Sequence, residues 1–242
     1  PDRVLLDIGK PTIGHLDPAF GELMEEMMSR LRRTMRTENA ATLAVSGTGS
    51  AGMETMVVNF ISPGERVVCG VNGLFGQRMA DELTRNGAIV ERVEAEWGRA
   101  IEPDRLIAAL DGSTAALFVV HGETSTGVCQ PLDGLGDACR SHDALFLVDC
   151  VTSLAGQQIE IDAAGIDVAF SGSQKCLNCP PGLAPFTVGR RASERLFAKS
   201  EPCRSWYVDL RAILAYWRED AAGAPPRVYH HTAPVNMLYG LH

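Results

Sequence analysis

The stretch Ala144-Leu-Phe-Leu-Val-Asp149, followed by Ile166-Asp-Val-Ala-Phe-Ser171, decides the fold. Both are short apolar runs rich in Val, Leu, Ile and Phe, the pattern of strands buried on two faces rather than one. The same signature recurs at 66–71, 88–93, 115–121 and 183–188, with a shorter apolar run at 41–45. Helical patterns fall between several of these runs, at 76–86, 103–110 and 132–141, and a helix to about residue 60 follows the glycine turn after 45. Ahead of them, 19–36 carries Phe20, Leu23, Met24, Met27, Met28 and Leu31 at helical spacing, which predicts an amphipathic helix with its apolar stripe in the core. After 188 come two more helices, at 191–199 and near 209–217, and a Gly/Pro-containing stretch at 221–226. Strands alternating with helices predict an α/β protein with a mostly parallel sheet and helices on both faces. Ligands then belong at the carboxyl ends of the strands.

Composition narrows the partners. The 242 residues are 45% hydrophobic and 21% charged, which suits a globular domain with a sizeable core. A net charge of −8 argues against a nucleic-acid surface, which needs clustered Lys and Arg to displace counterions. No apolar run approaches the roughly 20 residues of a membrane helix. Seven scattered cysteines, an odd number, suit free thiols in a reducing compartment, and a cytoplasmic location is the expectation. The opening Pro-Asp-Arg-Val is neither a Met start nor a signal peptide, so the amino terminus is expected to lie upstream, and the chain to continue past His242.

Three places carry candidate chemistry. Ser46-Gly-Thr-Gly-Ser-Ala-Gly52 is a glycine-rich turn between strand and helix, where backbone N–H groups can receive an anion such as a phosphate. Such a turn is often only a turn, and neither Rossmann nor Walker spacing is present. Asp149 closes a buried strand, where a carboxylate can hold a proton on a pyridine-type nitrogen or simply cap the following turn. Lys175 is one of only three lysines, with Lys10 and Lys199. It sits in the polar loop Ser171-Gly-Ser-Gln-Lys-Cys-Leu-Asn178, one strand-helix-strand unit after Asp149, which predicts that both reach the same sheet edge. A desolvated lysine amine there is a nucleophile. Cys176-x-x-Cys179 reads as two ordinary thiols, His121 as structural at a strand end, and His230-His231 as side chains on opposite faces of an extended segment. No metal site is expected.

As a set, Val119-Val-His-Gly-Glu-Thr-Ser-Thr-Gly-Val128, Pro131-Leu-Asp133, Leu147-Val-Asp-Cys-Val-Thr-Ser-Leu-Ala-Gly156, Gly165-Ile-Asp-Val-Ala-Phe-Ser-Gly-Ser-Gln-Lys175 and Pro180-Pro-Gly182 resemble the alanine–glyoxylate/serine–pyruvate branch of the class V aminotransferases. The resemblance runs from the first helix to Tyr229-His-His-Thr232 and implies the large domain of fold type I, with pyridoxal 5′-phosphate (PLP) as cofactor. On this basis 1–40 is an N-terminal segment with a helix and 41–242 the PLP-binding large domain. The small carboxyl-terminal domain, with its substrate-binding arginine, and the Gly-Pro-Gly-Pro opening are not in the sequence.

Carried over by residue, Lys175 matches the Schiff-base lysine and Asp149 the partner of the pyridine nitrogen. Thr48, Gly49, Ser50 and Gln174 match phosphate ligands, Phe75 the aromatic stacked on the ring, Val151 the packing on its other face, and Thr124 the hydroxyl beside the ring oxygen. Tyr229 and Thr232 match residues that reach the phosphate from the second subunit, so a homodimer is implied. The implied reaction moves the amino group of L-alanine or L-serine to glyoxylate. A cysteine desulfurase-like enzyme is an alternative, although such relatives carry His where Gln174 precedes the lysine; a phosphoserine aminotransferase and a non-catalytic PLP-binding homologue are others.

Overall fold

A computed structural model describes residues 1–218 and 226–242. In chain order it begins with α1 (Asp2–Ile8), α2 (Pro18–Met35), β1 (Ala41–Ser46), α3 (Gly49–Phe60), β2 (Arg66–Val71), α4 (Leu74–Arg85), β3 (Ile89–Glu94) and α5 (Pro103–Ala108). There follow β4 (Thr114–Val120), a small hairpin of β5 (Gly122–Glu123) and β6 (Val128–Cys129), α6 (Leu135–Ser141), β7 (Leu145–Asp149) and β8 (Val168–Phe170). The last elements are β9 (Leu183–Val188), α7 (Arg190–Ala198), α8 (Leu210–Trp217) and α9 (Val235–Leu241).

The main sheet has the order β1-β9-β8-β7-β4-β2-β3. All neighbours run parallel except at β9, which is antiparallel to both β1 and β8. Alternation along each central strand divides the core in two, because successive side chains point to opposite faces. Leu145 and Leu147 join Phe118, Val168 and Phe170 in the core under α2, α3 and α4. Phe146 and Val148 join Leu117, Val119 and Ala169 on the other face, with Leu106 and Leu135 from α5 and α6. Both faces are therefore dry, which is why these strands read as continuous apolar runs.

Local chemistry sets the helix ends. Asp17 caps α2 by accepting the Ala19 N–H at 2.9 Å, with Pro18 at the first helical position. Asp209 caps α8 in the same way through the Arg211 N–H.

The fold departs from the sequence expectation in several places. The connection from β7 to β8 consists of turns with one isolated bridge, Leu154 to Gln157, and contains no helix, so Asp149 and Lys175 are not related by a strand-helix-strand unit. That loop closes on itself instead, with Leu154 N–H donating to Cys150 O and Ala164 N–H to Glu160 O. β8 is also shorter than the run at 166–171; just before it the Asp167 carboxylate accepts the Phe146 N–H and pairs with Arg191. Helices α1 and α9 have no periodic signal of their own and pack against each other, with Val4 and Ile8 close to Gly240. Residues 221–225 of the Gly/Pro-containing stretch lie outside the described residues. Among the described residues, no helix is long and apolar enough to cross a membrane.

Candidate active site

The carboxyl ends of β1, β2, β4, β7 and β8 meet at one edge of the sheet. Lining residues from the loops after each of them enclose a cleft of about 200 Å³. At its floor lies Asp149, which is 2% exposed and whose Oδ1 accepts the Val151 N–H at 2.7 Å. Registers Val120–Asp149 and Asp149–Phe170 put it between two parallel neighbours. Burial drives its carboxyl up to about 7, opposed by the Val151 hydrogen bond; the nearby Glu123 charge adds to the rise, while Arg78 and Lys175 oppose it. A carboxyl held this way gains from any cation that binds beside it.

Lys175 also lines the cleft, on the loop after β8. Two buried serines shape that loop. Ser171 donates to Cys150 O at 3.1 Å, and Ser173 donates to Pro180 O at 2.6 Å while the Leu183 N–H reaches its Oγ. The serines of Ser171-Gly-Ser173 thus tie the lysine loop to the β7 end on one side and to β9 on the other. Gln174 folds over Gly172, and its Oε1 is buried with no hydrogen-bond partner among the described residues. Its amide is free to turn to a ligand.

The start of α3 forms the anion-attracting end. Thr48, Gly49 and Ser50 line the cleft, and no side chain caps this helix. A Cβ on Gly49 would lie 2.9 Å from Val151 Cγ2, so only glycine lets the helix start come this close to the β7 loop. Phe75 and Val151 line the same cleft, and Thr124 shares a short hydroxyl contact with Thr152.

Several side chains in or beside the cleft lie outside the residues that the sequence singles out. Arg78 contributes a guanidinium to the cleft: it donates to Ser50 Oγ at 3.3 Å and lies 4.8 Å from the centre of the Phe75 ring. The spacing Phe75-x-x-Arg78 at the start of a helix was its available signal, since such residues share a face. Glu123 is 1% exposed and accepts four hydrogen bonds, from the N–H groups of Phe75 and Gly76 and from the N–H and hydroxyl of Ser125. It thereby caps α4 in place of a local residue and fixes where Phe75 sits. A Cβ on Gly73 would meet Glu123 Cγ at 2.4 Å, so the close approach needs glycine. Thr152, at the turn after Asp149, is a further lining hydroxyl.

Not every expected residue is in the cleft. Tyr229 is 49% exposed and bonds Thr232 at 3.1 Å, and neither lines it. The rings of His230 and His231 do not diverge as expected; their centres lie 5.0 Å apart, because Trp206 packs on the first and Tyr207 stacks on the second.

An α/β sheet with an anion-attracting helix start, an aromatic wall, a buried carboxyl and an amine in one cleft defines a class of proteins. Residues 9–241 match the class-V aminotransferases, and the chain belongs to that family. It is 39% identical to an alanine–glyoxylate aminotransferase of Oryctolagus cuniculus, covering all of this chain and 61% of that protein. Among solved structures, alanine–glyoxylate aminotransferase from Nostoc sp. superposes with a TM-score of 0.94 at 45% identity, over 100% of this chain and 63% of that one. Ureidoglycine–glyoxylate aminotransferase from Bacillus subtilis gives 0.94 at 38%, over 99% and 60%. The chain thus spans about three-fifths of the length of these relatives.

Proposed function

We propose that this chain is the cofactor-binding part of a PLP-dependent aminotransferase that moves the amino group of L-alanine or L-serine to glyoxylate, giving glycine with pyruvate or hydroxypyruvate. The observation that carries this is the convergence of Asp149 and Lys175 on one cleft whose other end is the uncapped start of α3. When bound, PLP supplies an electron-withdrawing ring that makes the Cα proton of an amino acid acidic. Asp149 would keep a proton on the pyridine nitrogen, and its burial would make that partnership strong. Lys175 would hold the cofactor covalently through its amine and, when free, would move the Cα proton of the amino acid. Phe75 and Val151, which line the cleft, would confine the ring, and Thr124 would offer it a hydroxyl. Thr48, Gly49, Ser50 and Gln174 would hold the phosphate, with Arg78 as an added cation. In this reading the protein is a homodimer, and the partner subunit's Tyr229 and the partner subunit's Thr232 complete the phosphate site. Their exposure outside the cleft of their own chain supports a role across a subunit boundary. The seven free thiols suit a cytoplasmic location.

Glyoxylate stands in the printed names of both kinds of relative, whereas the amino donors differ, so the acceptor has the broader support. The test is the visible absorption of the full-length protein with PLP, recorded before and after L-alanine or L-serine and again after glyoxylate. A cofactor band lost with the amino acid, restored by glyoxylate and absent from Lys175→Ala is expected. A protein that acquires no band with PLP would overturn the reading.

A further inference from the structure

Beyond the cleft, at the end of β4, a second cavity of about 540 Å³ is lined by His121, Cys129, Gln130, Arg140 and Glu160 among others. His121 Nε2 lies 3.6 Å from Cys129 Sγ. The imidazole is 6% exposed, and its Nδ1 has no hydrogen-bond partner among the described residues. The thiol, by contrast, is exposed. The two residues are held together by the hairpin, in which Cys129 pairs with Gly122, directly after His121. A nucleophile at the surface with a base in hydrogen-bond reach behind it is the arrangement that activates a thiol.

The other six cysteines lack this arrangement. Cys69, Cys139 and Cys150 are buried, and burial pushes their thiols up, the first two to about 12. Cys179 and Cys203 are partly buried and raised for the same reason. Cys176 is exposed, but its thiol is engaged by a backbone carbonyl, donating to Thr152 O at 3.2 Å. Burial lowers the His121 pKa, so the imidazole beside Cys129 is the neutral, proton-accepting form at pH 7. Around the cavity, Asp137 is bonded to Arg140 at 2.7 Å and Glu160 is paired with Arg36, with Asp133 as a further carboxylate that tips the balance to negative. An acidic rim disfavours anionic reagents and leaves small neutral ones.

We propose that Cys129 and His121 form a thiol–imidazole pair that makes Cys129 the peroxide-reactive cysteine of this chain. The Cys129 sulfur attacks one oxygen of hydrogen peroxide while His121 takes the thiol proton; an S–O bond forms and the O–O bond breaks. The departing hydroxide receives the proton as water. Sulfur is oxidised by two electrons to the sulfenic acid, and the peroxide is reduced by two. This assignment is independent of the transaminase reading.

The experiment treats the intact protein with hydrogen peroxide in the presence of dimedone, which traps sulfenic acids, and follows each cysteine peptide by mass spectrometry. Cys176, also exposed, is the internal reference. The adduct at Cys129 is expected to form about tenfold faster than at Cys176, and His121→Gln is expected to bring the two rates together. Equal rates in the unsubstituted protein overturn the proposal, and so does an unchanged Cys129 rate in a His121→Gln protein that melts cooperatively. Should that variant not fold, the ratio in the unsubstituted protein decides alone.

Discussion

At the residue scale, Asp149 is the group whose energetics are most exposed to test. Its carboxyl titrates near 7 in the fold, far above its ordinary 3.8, because burial penalises the charge. The folded chain therefore holds this proton more tightly than the unfolded chain, so the cofactor-free protein loses stability as pH rises from about 4 to about 7 and no further from this group above that. An Asn has no such loss. Asp149→Asn should therefore raise the melting temperature of the cofactor-free protein at pH 8 by more than it does at pH 5, while removing transamination. Parallel thermal melts of both proteins at the two pH values check the first part; an advantage that does not grow with pH would contradict the burial argument. Arg78 allows a second test on the same scale. Its guanidinium touches Ser50 and the Phe75 ring, so Arg78→Ala should weaken PLP binding by about tenfold, in line with losing one charge-assisted contact. Titration of the cofactor band measures it.

At the scale of elements, α4 is the part whose position depends on one distant side chain. Glu123, on the hairpin after β4, supplies the cap that Gly73 cannot, and Phe75 is carried on the first turn it caps. In Glu123→Gln one oxygen becomes an amide nitrogen, and at least one buried donor at this corner loses its acceptor, a cost of about 1–3 kcal/mol. A lower melting temperature and a weaker affinity for PLP are both expected, since a loosened first turn no longer fixes Phe75 or Arg78. Gly73→Ala pushes on the same carboxylate from the other side. The two substitutions act on one contact, so the double variant should lose less stability than the sum of the single losses. Full additivity in denaturant melts would show that Glu123 and Gly73 act separately. The lysine loop follows the same logic, with Ser173 bridging Pro180 and Leu183 so that Lys175 leaves the loop at a set place.

At the scale of the whole molecule, the proposed homodimer makes a prediction that no single chain can satisfy. If Tyr229 serves the other subunit's cleft, mixing inactive Lys175→Ala with impaired Tyr229→Ala under exchange should restore activity, because one site of each hybrid then has an intact lysine and an intact tyrosine. No restoration in hybrids demonstrated by mass would place Tyr229 in its own subunit's chemistry or in none. The positions of β2, β4 and β7 were legible in the sequence because burial on both faces is written into every residue of a strand, as in Leu145 to Val148. The end of the β7 run also marked Asp149, since a polar residue ending a buried strand stands at the sheet edge, and the run at 166–171 marked the loop of Lys175 that follows it. Strand direction at β9, the turns that replace a helix between β7 and β8, the Glu123 cap and the His121–Cys129 contact were decided only by the tertiary structure. An apolar run specifies that a segment is buried but carries nothing about which way the chain passes through the sheet. A hydrogen bond between Phe75 and Glu123, 48 residues apart, is likewise fixed by how the strands stack, which no local window of sequence contains.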